Sequence, residues 1–119
     1  MGNLPGVPDT SIDVANAAAA DDKRIDVALL GDNIVIPAPG PSKRTLIGHL
    51  DMQAQGAVTV LIKSGSTAKA GPYTFTALAG IAFDFPSFSP WGMGVNEPLV
   101  LELSAAVRVT GLVTFRTAT

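Results

Sequence analysis

The chain has 119 residues, the length of one domain with a single core, since a chain of this size buries roughly two thirds of its unfolded surface. Eight Lys and Arg against ten Asp and Glu leave a net charge of −2 and a pI near 5.1, so no basic field gathers phosphates and nucleic acid is excluded as a direct partner. The lack of cysteine excludes disulfides, a thiolate nucleophile and Cys-type zinc sites, while 47% apolar against 15% charged residues implies a surface short of charge, to be covered by partners.

Residues 1 to 24 read as an extended N-terminal arm, and residues 25 to 119 as a β-sandwich domain. The start, MGNLPGVPDTSIDV, has neither a basic n-region nor an apolar h-region, and no run approaches the roughly 18 apolar residues of a spanning helix. The expectation is a soluble chain made in the cytoplasm, without a membrane partner. Ala17 to Ala20 supply one helical turn at most, too short to stand alone in water. The arm is then either ordered by a neighbouring protein or a frayed terminus.

From Arg24 the apolar period is two. Ile25, Val27 and Leu29 alternate with polar or small residues, and Gly31-Asp32 reads as a tight turn into Ile34 and Ile36, making a hairpin. Pro37, Pro39, Gly40 and Pro41 end that strand. The next runs over residues 43 to 53, with Leu46, Leu50 and Met52 on one face and Ile47, His49 and Asp51 on the other. AVTVLIKS sets Val58, Val60 and Ile62 against Thr59, Leu61 and Lys63.

SGSTAKAGP reads as a surface loop before YTFTAL, and IAFDF places Ile81, Phe83 and Phe85 in one phase. PLVLELS sets Leu99, Leu101 and Leu103 against Val100 and Glu102. AVRVTGLVTFRT sets Val107, Val109, Val113 and Phe115 against Arg108, Thr110, Leu112, Thr114 and Arg116. Eight short strands and no convincing helix predict an all-β, eight-stranded antiparallel sandwich, and eight is the jelly-roll number. Ile47, Leu61, Val100 and Leu112 fall on outer phases; clustered on one sheet they would mark an interface.

Catalytic chemistry is not evident. The single histidine, His49, shares an outer face with Asp51 at about 7 Å by strand geometry, too far for a carboxylate-oriented base. GSTAKAG lacks the Lys-Ser or Lys-Thr and the helix of a phosphate loop. Asp21-Asp22 has no calcium-loop partners, and Asp84 and Glu97 could serve as paired glycosidase acids only by flanking one segment. No catalytic, cofactor or metal residue is assigned.

That segment, FDFPSFSPWGMG, is the unusual feature. Phe83 and Phe85 sit in core phase, whereas Phe88 and Trp91 lie in a loop stiffened by Pro86 and Pro90. Such aromatics suit closing a sandwich or anchoring a subunit contact, and less well a stacking platform for sugars.

Residues 58 to 115 resemble a pattern in small structural proteins of tailed bacteriophages: a strand ending Ser-Gly, a Gly-Pro opening the next, an aromatic Pro-Trp loop, a Glu-Pro-Leu run, and LSAAV leading to the last strand. The resemblance covers about half the chain and carries over Gly65, Gly71, Pro72, Trp91, Glu97, Leu99, Leu101, Ser104 and Gly111 as framework positions. It implies a jelly-roll capsid decoration, or cement, protein on the outer capsid surface of the virion, bound to the major capsid protein as a homotrimer. The residues expected at the subunit or capsid interface are Ile47, Leu61, Phe88, Trp91, Val100 and Leu112, with the arm reaching a neighbour. The alternative is a tail or neck receptor- or glycan-binding module, with Phe88 and Trp91 as its platform.

Overall fold

A computed structural model describes residues 20–86 and 88–119. Among these residues there is no helix, and nine strands form two antiparallel sheets: β1 (Asp21–Val27), β2 (Gly31–Ile36), β3 (Arg44–Ala54), β4 (Val58–Ser64), β5 (Thr67–Phe75), β6 (Gly80–Asp84), β7 (Trp91–Gly92), β8 (Leu99–Leu103) and β9 (Val109–Ala118). The first sheet has the order β1-β9-β3-β6, with β7 also on β3; the second has the order β2-β8-β4-β5. The chain is an all-β sandwich, as its period-two patterning requires.

Each sheet contributes its inward apolar set to one core. Ile25, Leu50, Met52, Val109 and Val113 come from the first sheet, and Val60, Ile62, Leu99, Leu101 and Leu103 from the second. In β4 and β8 the alternation read from sequence is the alternation found: Val58, Val60 and Ile62 are buried while Thr59, Leu61 and Lys63 are half-buried, and Leu99, Leu101 and Leu103 face inward. Removing these aliphatic side chains from water is the main stabilising term, about 1.5–3 kcal/mol for each.

Four local expectations change. The Gly31 hairpin does not form: β1 pairs with β9 and β2 with β8, so the chain crosses between sheets after Val27. Gly31, at φ 93°, makes that crossing, and it leaves Leu29, expected in strand phase, 70% exposed. Buried Asn33 holds the crossing in place. Its side-chain NH2 donates to the Leu29 carbonyl at 2.8 Å and the Gly31 carbonyl at 3.0 Å, and its Oδ1 accepts from the Leu29 amide.

The second change is in β3. Its register against β9 shifts between Ile47 and His49, leaving Gly48 as the extra residue of a bulge. Before the bulge Thr45 and Ile47 face inward, and after it Leu50, Met52 and Ala54 do. Ile47 is therefore fully buried in the core, not on the outer phase, and Leu46 takes the half-buried outer position. A bulge of the same kind in β2, between Ile34 and Ile36, buries Val35 and Ile36 and turns Ile34 outward at 65% exposure.

Third, much of the expected loop SGSTAKAGP is the beginning of edge strand β5, reached through a short turn at Gly65 (φ 58°). Finally, Asp21 to Arg24, assigned to the arm, form the first half of β1 and pair with Phe115 to Leu112 of β9. The rest of the arm, residues 1–19, lies outside the described residues.

Candidate interaction surfaces

The aromatic segment divides in two. Tyr73 on edge strand β5, Phe83 on β6, then Phe85 and Trp91 make a ladder of rings, with centroids 5.5, 6.5 and 5.5 Å apart in that order. All four pack against the core, and they bridge the gap between β5 at the edge of one sheet and β6 and β7 at the edge of the other. Trp91 is thus largely committed to closing its own sandwich. Phe88 is the opposite case at 89% exposure, a large apolar ring held in solvent by a Pro-bounded turn.

The six residues singled out in the sequence do not gather on one surface. Leu61 and Val100 share the outer face of the second sheet, where Val100 stands opposite Ile34 on β2 and Lys63 on β4. Leu112 is on the outer face of the first sheet between Arg24 and Asp51, Ile47 is inside, and Phe88 and Trp91 belong to the segment joining β6 to β8.

Val100 has the expected outward phase and stands apart from the core cluster, yet it is only 3% exposed. The cause lies in its neighbours. Lys63 Nζ donates to Asp32 on β2 at 3.0 Å and to Glu102 on β8 at 3.2 Å. To reach Asp32 from β4, the lysine stem crosses β8, and its methylenes cover the apolar surface beside Glu102. The two carboxylates raise the Lys63 pKa, Asp32 foremost. What this face offers a partner is Ile34, with half-buried Leu61 and, at the crossing, Leu29 and Leu30. Ile34 was masked in the sequence because strict alternation with Ile36 places it in the core.

On the first sheet, His49 lies between two carboxylates: Nε2 is 2.6 Å from Asp51 Oδ2 and Nδ1 is 2.6 Å from Asp84 Oδ1. The 7 Å separation expected along the strand is therefore overturned, because the side chains lean toward each other. Asp51 Oδ1 also accepts from the Leu112 amide, which orients the carboxylate. The third member of the cluster is Asp84, on edge strand β6. When protonated, the imidazole donates at both nitrogens and joins β6 to β3 electrostatically.

The hydrogen bond to Asp51, then that to Asp84, raises the His49 pKa above its ordinary 6.5. A raised folded-state value means the contribution is fully present below pH 6.5 and disappears as pH rises through the folded pKa. Unfolding midpoints should accordingly fall from pH 6 to pH 8 in the native chain, and His49→Gln should flatten that slope. Equal slopes in the two proteins would refute the assignment.

Asp84 and Glu97 are engaged by different partners, Asp84 by His49 and Glu97 by buried Ser64, whose hydroxyl donates to Glu97 Oε1 at 2.7 Å and accepts from the Gly94 amide at 2.8 Å. That bond ties the turn before β8 to the end of β4. Among the described residues no cluster of His, Cys, Asp and Glu could hold a metal ion.

A groove of about 240 Å3 lies beside the histidine. Leu46, Phe85, Pro86 and Pro90 give it apolar walls, and Ala20, just before β1, forms part of its lining.

Fold and surfaces together define a compact β-sandwich that carries exposed apolar groups, Leu29, Leu30, Ile34 and Phe88 among them. The chain matches no protein-family model and no curated protein.

Proposed function

We propose that this chain is a non-enzymatic structural protein of a phage virion, a decoration or cement protein that binds the major capsid protein across subunit junctions. It acts as a homotrimer on the outer capsid surface, after synthesis in the host cytoplasm, and resists the outward load of packaged DNA. The observation that carries the reading is the set of exposed aliphatic side chains, Leu29, Leu30 and Ile34, at one edge of the second sheet, in a chain with only 15% charged residues. The resemblance over residues 58 to 115 supplies the kind of partner.

The jelly-roll reading draws support from strand order. With β6 and β7 counted as one edge, the orders β1-β9-β3-β6 and β2-β8-β4-β5 are compatible with an eight-stranded double Greek key. Threefold closure suits the function because linked modest contacts bind far more tightly than one, and closure prevents the open association that a sticky edge invites.

Light scattering at micromolar concentration tests the assembly: a trimer is expected, and a monodisperse monomer refutes it. Imaging virions with and without the protein tests location, with 60 or more icosahedral copies expected.

A second reading, a tail or neck module that binds glycans, rests on Phe88. Phe88→Ala should leave stability within about 0.5 kcal/mol, because the ring is in solvent. Reduced capsid binding by this variant supports the first reading, and lost glycan binding with capsid binding intact supports the second.

A further inference from the structure

We propose that the tip of the sandwich, the end at which the chain crosses between the sheets four times, is a self-association surface whose occupant is a second copy of this chain. The inference rests on the self-association proposed above and names the surface that makes it, but it does not depend on the virion.

The four crossings are residues 28–30, 104–108, 55–57 and 76–79. Because the sheets run β1-β9-β3-β6 and β2-β8-β4-β5, each crossing joins two facing strands, and the four stand side by side in that order. At the spacing of strands the row is about 15 Å wide. Its residues read ALL, SAAVR, QGA and TALA, and Arg108, their one ionisable side chain, binds both oxygens of Asp26 at 2.9 Å. On the adjoining face Asp32 and Glu102 are both held by Lys63. Leu29 and Leu30 stand on one outer crossing and Leu78 on the other, at 67% to 70% exposure, with exposed Ala57 and Ala106 on the crossings between them.

The backbone holds these leucines outward. Asn33 ties both the amide and the carbonyl of Leu29. Leu78 has φ 67°, the left-handed region in which glycine is the default and a residue with a Cβ is penalised. It is kept there by its amide, which donates to the Ala54 carbonyl at 2.7 Å, and by its carbonyl, which accepts from Gln53 Nε2 at 3.0 Å. An exposed side chain gains no burial to offset that strain within one copy. A contact outside the copy supplies it, and anchors fixed in advance lose little entropy on binding.

The partner follows from charge. A charged surface would lose its water here with no group to pair it, whereas copies of a chain of net charge −2 repel one another least where they meet without charge. An uncharged row of leucine and alanine is matched by the same row. The two leucine flanks differ and lie at opposite edges, so Leu29 and Leu30 of one copy meet Leu78 of the next, a head-to-tail contact that closes into a ring.

Sedimentation of the full chain over a dilution series tests the surface. Leu78→Gly, which also relieves the strained φ, and the double variant Leu29→Ser with Leu30→Ser should each weaken the oligomer at least roughly tenfold, with Leu78→Gly keeping the native thermal midpoint or raising it. An oligomer of unchanged affinity in both overturns the tip as the contact and leaves the self-association reading standing, whereas a monomeric unaltered chain overturns both. The lack of cysteine permits a test of direction. Leu29→Cys chains mixed with Leu78→Cys chains should form the mixed disulfide at least roughly tenfold faster than either forms its own dimer. Equal rates overturn the head-to-tail contact.

Discussion

Gly111→Ala is expected to destabilise the protein by about 3 kcal/mol or more, or to prevent folding. Gly111 lies in β9 between Ile25 of β1 and Met52 of β3. A Cβ there would overlap the Asp51 carbonyl oxygen and stand 2.8 Å from the Asp51 carbonyl carbon and 2.9 Å from the Met52 Cα. All three obstacles are backbone atoms of a central strand. They can yield only if β3 moves away from β9, which would strain the ladder and the core contacts of Leu50 and Met52. Gly48→Ala is the contrast, since its nearest atom, the Thr114 carbonyl oxygen, would be 3.8 Å from the new Cβ. That variant should cost less than about 1 kcal/mol. Denaturant midpoints measure both, and equal costs would show that β9 shifts freely.

Trp91→Ala is expected to cost about 2–3 kcal/mol, at the lower end for a large aromatic because the ring is half-buried rather than enclosed. It stacks on Phe85 at 5.5 Å and 28°, and its strand stands opposite Ile47. Its removal would take away the end of the ladder that runs from Tyr73 and let water reach that side of the core. Thermal denaturation gives the stability change, and glycan binding measured on the same protein separates the two functional readings. A variant of native stability that has lost glycan binding would make Trp91 a platform and overturn the packing role.

The two substitutions differ in how visible their causes are from the residues alone. Trp91 stands out at once as the single tryptophan in a Pro-bounded aromatic segment, and the resemblance already places it in a framework. That it packs inward while Phe88 points to solvent follows from the ring ladder, which joins residues as distant in sequence as Tyr73 and Trp91. Gly111 belongs to the same framework, but nothing in TGLV indicates that the Asp51 backbone lies against it.

The interface residues show the same division. Leu61 and Leu112 have the outward phase that alternation assigns, because β4 and the middle of β9 keep a regular pleat. Ile47 and Ile34 do not, because each precedes a bulge, and one extra residue exchanges the inward and outward sets. Val100 keeps its phase and loses its exposure to the stem of Lys63, a residue 37 positions earlier in the chain.

Composition and period determined the class of this protein. Alternating aliphatics in short runs, broken by Gly and Pro, can bury one face per strand only by stacking two sheets, and sparse charge leaves apolar groups outside. Tertiary structure decided which strands are neighbours, sending β1 to β9 and β2 to β8 where a local hairpin was expected, and it brought Asp84 to His49 across 35 residues. The physical reason is that side-chain period is a property of each strand by itself. Pairing, bulges and cross-strand contacts depend on which distant backbone satisfies its hydrogen bonds and which distant side chain fills the space beside it.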